Sequence, residues 1–187
     1  MEERRDIEQD LADSLKRLAL TIPFEKITIR QITDGAGVIR VTFYNHFKDK
    51  YDLLEWIIQT EILTPVGILL NNHMYRDALI LIFSNLQKEK DFYTHVVNLE
   101  GQNSFQDIVR NSIRKLLLEL FTVQALHSAE KHPWLTSDYL AAYYAESMTF
   151  VVINWIKNGM TISAEEVSTI YEYIARRSMW DVLEELR

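Results

Sequence analysis

The stretch KITIRQITDGAGVIRVTFYNHFKDK, residues 26–50, constrains the fold more tightly than any other part of this 187-residue chain. It reads as two short helices separated by a glycine turn and followed at once by a third. Thr28 is an N-cap residue, and Gln31 three positions on completes a Thr-x-x-Gln capping box. In such a box each side chain satisfies a backbone N–H that the first helical turn leaves unpaired. Ile29, Ile32 and Ala36 then share one side of a helix of about two turns. Gly35 and Gly37 can end it, because glycine reaches positive φ without steric cost. A second short helix is expected from about Ile39 to Phe47, with Phe43 and Phe47, four apart, on one face. Helix, glycine turn, helix is the arrangement that lays its second helix in a DNA major groove.

Charge is distributed to match. The chain carries a formal −7. Within residues 26–50, however, Lys26, Arg30, Arg40, Lys48 and Lys50 face only Asp34 and Asp49, so this segment carries +3 and the rest carries −10. A local basic footprint on an acidic body suits a protein that meets phosphate through one face and is repelled elsewhere.

An apolar content of 48% supports a buried core, and three Pro with five Gly favour long helices over an all-β fold. The absence of cysteine excludes disulfides, thiolate nucleophiles and Cys-based zinc sites. The N-terminus is charged and the longest purely apolar runs, such as Ala78–Phe83, are short. Neither a signal peptide nor a membrane span is expected, and a cytoplasmic, nucleoid-associated location follows.

Elsewhere the chain reads as helix after helix. Helix 1 is expected from Arg5 to Thr21, with Ile7, Leu11, Leu15, Leu18 and Ala19 forming an apolar stripe over Ile32, Phe43 and Phe47. Asp49 caps a helix that carries Leu53, Leu54, Ile57, Ile58 and Ile62 toward Pro65. Further helices are expected at about 74–88, 91–99, 104–130, 137–158 and 164–185. The breaks fall at Glu100-Gly101-Gln102-Asn103, Lys131-His132-Pro133-Trp134 and Asn158-Gly159, and Ser163-Ala164-Glu165-Glu166 caps the last helix. No flexible linker interrupts the chain.

Phe24, Thr28-Ile29-Arg30-Gln31-Ile32, Ala36-Gly37-Val38, Thr42-Phe43-Tyr44-Asn45-His46-Phe47, Lys48, Lys50 and Asp52-Leu53-Leu54 together resemble the N-terminal domain of the TetR family of bacterial transcriptional regulators. Two positions depart from that pattern: Ile39 stands where Ser usually begins the recognition helix, and Val41 where a small residue often sits. In the second half, Asp91-Phe92-Tyr93, Gly101-Gln102-Asn103-Ser104-Phe105, Trp155-Ile156-x-Asn158-Gly159-Met160 and Ser163-x-Glu165-Glu166 look like the TetR subgroup that contains the dihydroxyacetone kinase operon activator, which works with a protein co-activator. The resemblance implies an all-α fold, with a three-helix helix-turn-helix domain at 1–48 and a helical effector-binding and dimerisation domain at 49–187. It also implies a sequence-specific regulator of a double-stranded DNA operator. The alternative is a dimeric interaction module or co-regulator that has lost operator binding, with Ile39 and Val41 as its support.

The expected DNA contacts are Thr28, Arg40, Thr42, Tyr44, Asn45, His46, Lys48 and Lys50. Tyr44 projects from the face opposite Phe43 and Phe47, at about 100° per residue round the helix. His46 is either a phosphate donor or a packing residue between helices. Aromatic and polar residues of the second domain, namely Tyr93, His95, Phe105, Tyr143, Phe150 and Asn154, are candidates for an effector pocket, with core or dimer packing as the other reading. The partner is then a small-molecule effector or a protein co-regulator. His73, His95, His127 and His132 have no metal-ligand spacing, so no metal or cofactor is expected. No phosphate-cradling loop, nucleophile elbow or dinucleotide fingerprint points to an enzyme. The last two helices, apolar around much of their girth, are expected to build a homodimer.

Overall fold

A computed structural model describes residues 6–101, 103–123 and 134–185, and every regular element among them is helical. The expected end of the 104–130 helix, the break at Lys131-His132-Pro133, His127 and His132 fall outside the described residues, as does the Arg5 start of helix 1.

Helix α1 (Ile7–Ala19) is capped by Asp6, whose carboxylate accepts from the Gln9 N–H at 3.2 Å. Its stripe of Leu11, Ala12, Leu15 and Ala19 is buried. A single 3₁₀ turn (Phe24–Lys26) leads to α2 (Ile29–Ala36) and α3 (Arg40–His46). Helix α2 crosses α1 closely. A Cβ built at Gly35 would stand 2.3 Å from Ser14 Oγ, and that hydroxyl donates to the Ile32 carbonyl at 2.8 Å. Of the two glycines expected to end α2, Gly35 is inside it as this contact point, and Gly37 terminates it at φ 67.

The helix capped by Asp49 does not stop at Pro65. It runs as α4 (Lys50–Ile57), a π-helical segment (Ile58–Leu63) and α5 (Thr64–Asn71). Proline explains the irregularity. Pro65 has no N–H for the Glu61 carbonyl four residues back, and its ring crowds that oxygen. Widening the turn relieves the clash. The Thr64 N–H reaches five residues back to the Gln59 carbonyl, and the stranded Glu61 carbonyl accepts instead from Asn85 Nδ2 at 3.1 Å. The run Lys50–Asn71 is long and apolar enough by length and composition to cross a membrane, its apolar 18-residue window having a mean hydropathy of 1.5. Its Leu53, Leu54, Ile57, Ile58, Ile62, Leu63 and Val66 are all buried against other helices, which is the pattern of a core helix.

The remaining elements are α6 (Tyr75–Lys88), α7 (Lys90–Val96), α8 (Phe105–Val123), α9 (Ser137–Lys157), α10 (Ala164–Ala175) and α11 (Met179–Glu185). The single helix expected over 164–185 is broken at Arg176–Ser178; Ser178 restarts it, its hydroxyl accepting from the Asp181 N–H at 3.2 Å. Helix α8 packs along α9, α6 along α10, and α1 touches both α4 and α7. One continuous core joins the parts. Within it Phe92, Tyr93 and Phe105 stack in sequence, and Trp155 meets Phe83 edge-on at 5.3 Å.

Candidate nucleic-acid interface and internal cavity

Helix α3 is short, and its two faces differ sharply. Phe43 is fully buried and Phe47, just beyond the helix, is 4% exposed and meets Trp56 of α4 edge-on at 5.9 Å, while α3 also packs on α2. Arg40, Val41, Tyr44 and Asn45 face outward. Ile39 (69%), Val41 (64%) and Tyr44 (51%) leave a patch of apolar surface beside the basic groups. Arg40 lies 5.9 Å from the Tyr44 ring centroid and reaches its hydroxyl at 3.4 Å. The guanidinium is thus held over a ring that can itself lie against a sugar or base. Ile39 supplies no side-chain cap to α3. Its backbone carbonyl accepts from the Thr42 N–H at 3.0 Å, so what the first turn of α3 lacks is a side-chain acceptor.

The eight expected contact residues fall into two groups. Arg40, Tyr44, Asn45 and Lys48 are exposed, and Thr42 lies half-buried beside them. Thr28 is exposed but occupied: its hydroxyl accepts from the Gln31 N–H at 3.3 Å and its own N–H donates to Gln31 Oε1 at 2.9 Å, the reciprocal box read from the sequence, and the hydroxyl also donates to that Oε1 at 2.9 Å. His46 Nδ1 lies 3.2 Å from Glu8 Oε1, so its ring ties α3 to α1. Lys50 is turned away from α3. Its ammonium donates to the carbonyls of Phe24, Glu25 and Ile27 at 2.7–2.9 Å. Burial pushes its pKa down, with Glu25 and Asp49 opposing that. The 3₁₀ turn and the residue after it gather three carbonyls around that ammonium, 23 to 26 residues away in sequence.

A second constellation lies where α1 meets the π segment. Lys16 Nζ donates to both Glu61 oxygens, at 2.9 and 3.1 Å, with Glu89 and Asp13 each 3.6 Å away. Gln9 Nε2 adds a bond to Glu61 at 3.2 Å. Burial alone would lower the Lys16 pKa, but the Glu61 bond and charge, with Glu89 and Asp13, outweigh it and the net direction is up. The Tyr93 hydroxyl is buried without a hydrogen-bond partner, and that burial, reinforced by Glu61 and Glu89, pushes its pKa far up.

The back of the π segment borders an internal cavity of about 450 Å³. Ile58, Ile62 and Leu63 form one wall, with residues of α6, α8, α9 and α10 completing it. Of the six residues proposed from the sequence for a pocket, Phe105 alone lines this cavity. Tyr93 is packed in the core between Phe92 and Phe105. His95 is exposed and bonded through Nδ1 to the Asp91 carbonyl at 2.6 Å. Tyr143 (62%), Phe150 (68%) and Asn154 point outward along one side of α9. Their spacing of seven and four puts them on a common face, and it is the outer one. Sequence reading missed Ile113, Leu116, Leu117, Leu120 and Phe121 of α8, whose three- and four-residue spacing marks a shared face but cannot tell a lined cavity from a packed core. Among the described residues no three His, Asp or Glu side chains converge as metal ligands.

The sequence model described as "Bacterial regulatory proteins, tetR family" matches residues 13–57, and that described as "Transcriptional regulator C-terminal region" matches residues 75–177. The chain belongs to the TetR family. Among its relatives, the HTH-type dhaKLM operon transcriptional activator DhaS of Lactococcus lactis is 24% identical over 86 residues, 46% of each chain. The HTH-type transcriptional repressor KstR2 of Mycolicibacterium smegmatis is 24% identical over 184 residues, 85% of each. A solved structure of the dihydroxyacetone kinase operon activator DhaS superimposes with a TM-score of 0.62 at 18% identity, covering 90% of this chain and 93% of that one. Thermus thermophilus FadR, solved with lauroyl-CoA, gives 0.59 at 15% identity over 92% and 94%. These likenesses to solved structures establish the fold. An activator and a repressor both stand among the relatives, so likeness does not choose the sign of regulation.

Proposed function

We propose that this chain is a homodimeric regulator that reads an operator through α3 and loosens or tightens its grip when a small apolar effector fills the cavity. The exposed face of α3 carries this reading. A helix of seven residues that buries Phe43 while presenting Arg40, Val41, Tyr44 and Asn45 to solvent has the shape and chemistry of a major-groove reader. Arg40 can bond guanine edges, Asn45 adenine edges, and Val41 can meet a thymine methyl. Lys48, exposed beside them, has the free ammonium that a phosphate contact needs, and Thr28 can present a phosphate-facing cap at the start of α2. His46 and Lys50 act by holding α3 and the turn before α2 in place.

The dimer is assigned to the outer faces of α9 and α10. Tyr143, Phe150, Ile170 and Ile174 are each at least 44% exposed, a stripe too apolar for a surface meant to stay in water. Two-fold pairing of such faces presents two copies of α3 to half-sites about 34 Å apart, one turn of DNA. An effector that favours one tilt of α4 changes that spacing, because the wall formed by Ile58, Ile62 and Leu63 belongs to the same continuous helix. A chain with this job works in the compartment that holds the chromosome, the cytoplasm.

Capture of genomic DNA fragments on the purified protein tests the reading. A recurrent inverted repeat is the expected yield, and Tyr44→Ala should abolish its enrichment while leaving the helical circular dichroism unchanged. Enrichment without any common sequence, or equal enrichment by the variant, would overturn it.

A further inference from the structure

We infer that the cavity takes an anionic amphiphile: one apolar chain lodged between the helices and one negatively charged head held at the opening by Arg76 and Arg176. This rests on the cavity being an effector site and narrows that reading to a chemical class.

The interior excludes most other ligands. Ile62, Leu86, Val109, Ile113, Leu117 and Met148 offer no hydrogen-bonding group. A sugar, nucleotide or peptide placed there would bury polar atoms unpaired, and each would cost more than its contacts return. An uninterrupted hydrocarbon body fits, at a volume of about 450 Å³ that lies within the usual range for small-molecule pockets.

Polar lining groups are few. Besides the phenols of Tyr144 and Tyr171, they come from the start of α6 (Tyr75, Arg76) and the end of α10 (Glu172, Arg176). Arg76 and Arg176 both line the cavity and reach solvent, so they border its opening. The Tyr75 hydroxyl is already bonded to His73 Nδ1 at 2.8 Å. Glu172 is paired with Arg176 at 2.7 Å, and Arg76 has no carboxylate partner among the described residues. The charged lining thus comprises two guanidiniums and one carboxylate, an excess of positive charge. An ammonium head would be repelled, a hydroxyl head would leave Arg76 unused, and a carboxylate or phosphate ester matches the planar fork of donors.

Titration calorimetry with octanoate, decanoate, dodecanoate, dodecyl phosphate, dodecan-1-ol and dodecylamine, each below its micellar concentration, tests this directly. The acids should bind one per chain, with affinity rising about fourfold per methylene as each is taken from water. Dodecan-1-ol should bind about tenfold or more weakly than dodecanoate, and dodecylamine more weakly still. In the double variant Arg76→Ala/Arg176→Ala, both changes lying on the surface, dodecanoate should fall to the level of the alcohol. Leu117→Trp, which obstructs the cavity, should remove acid and alcohol together. Dodecyl phosphate binding better than dodecanoate would place the natural head among phosphate esters; the reverse order would place it among carboxylates, and either supports the class. Equal binding of alcohol and acid, an arginine variant that binds dodecanoate like the parent, undiminished binding by Leu117→Trp, or no binding by any acid or by the phosphate would overturn it. Operator affinity measured with and without dodecanoate separates the two levels. Arginine-dependent binding that leaves operator affinity unchanged supports the amphiphile site and refutes the effector reading.

Discussion

The contact between Lys16 and Glu61 is the most consequential polar link between the helix-turn-helix and the remainder of the fold, and its removal has a calculable effect. The side chains are 13% and 20% exposed, and the bond is 2.9 Å long. Fully buried pairs cost about 3–5 kcal/mol when one partner is removed, while exposed ones are worth about 0–1 kcal/mol. In Lys16→Met the Glu61 carboxylate keeps Gln9 but loses its counter-charge, with Glu89 close by, which puts the expected loss at about 2–3 kcal/mol. For a chain of this size each kcal/mol shifts Tm by about 2–4 °C, so a fall of about 5–10 °C is expected by calorimetry. Glu61→Gln should cost less, since the amide is neutral and its backbone carbonyl still accepts from Asn85. The double variant should recover about 1–2 kcal/mol relative to the sum of the singles. The pH dependence has a defined sign. The folded pKa of Lys16 is raised above 10.5, so its contribution is fully present below that value and is lost as pH rises through the folded pKa. The parent should therefore lose its advantage over Lys16→Met only in strongly alkaline buffer. A Lys16→Met protein within about 0.5 kcal/mol of the parent, or a double variant that is simply additive, would refute the reasoning.

Other expectations are independent of that pair. Gly35→Ala should destabilise by about 1–3 kcal/mol, because the new methyl displaces Ser14 from its bond to the Ile32 carbonyl; denaturant unfolding would show it, and Gly67→Ala, with open space around it, is the control. Lys48→Ala should weaken DNA binding uniformly across sequences and lower the slope of log affinity against log salt by about one. Lys50→Ala should instead lower Tm and operator affinity together, since its ammonium holds three carbonyls; a change in salt slope alone would contradict this. Sedimentation at micromolar concentration should give twice the 22.1 kDa chain mass, and Phe150→Asp should shift it toward monomer.

Local chemistry was the legible part of the sequence. Thr28 with Gln31, Asp49 and Ser163 cap their helices as their residue types demand, and the alternation around Phe43 and Phe47 put the correct side of α3 outward. What escaped were features set by contacts far apart in sequence. Lys50 looked like a phosphate ligand because nothing in the sequence reports that a 3₁₀ turn 24 residues earlier leaves its carbonyls in reach. Pro65 looked like a stop because the rescue of the Glu61 carbonyl comes from Asn85, on another helix. Tyr143, Phe150 and Asn154 were grouped with Tyr93 and Phe105 by residue type, yet helical phase places them on the outer face of α9. The cavity itself had no signature, since its lining is drawn from the same aliphatic residues that fill a core.

The three carbonyl bonds of Lys50 have a mechanical consequence. They fasten the first turn of α4 to the strand of chain just before α2, so the helix-turn-helix and the first turn of α4 are tied together. The first stretch of this helix whose hydrogen bonding departs from the α pattern is Ile58–Leu63. A hinge at that height would make the eight residues of α4 a lever about 12 Å long, at 1.5 Å of rise per residue. A bend of only about 5° there would sweep the helix-turn-helix by about 1 Å over that length, and in a two-fold pair both copies would move. Small displacements of the cavity wall would thus arrive at the DNA enlarged, through the one segment that proline keeps from becoming a regular helix.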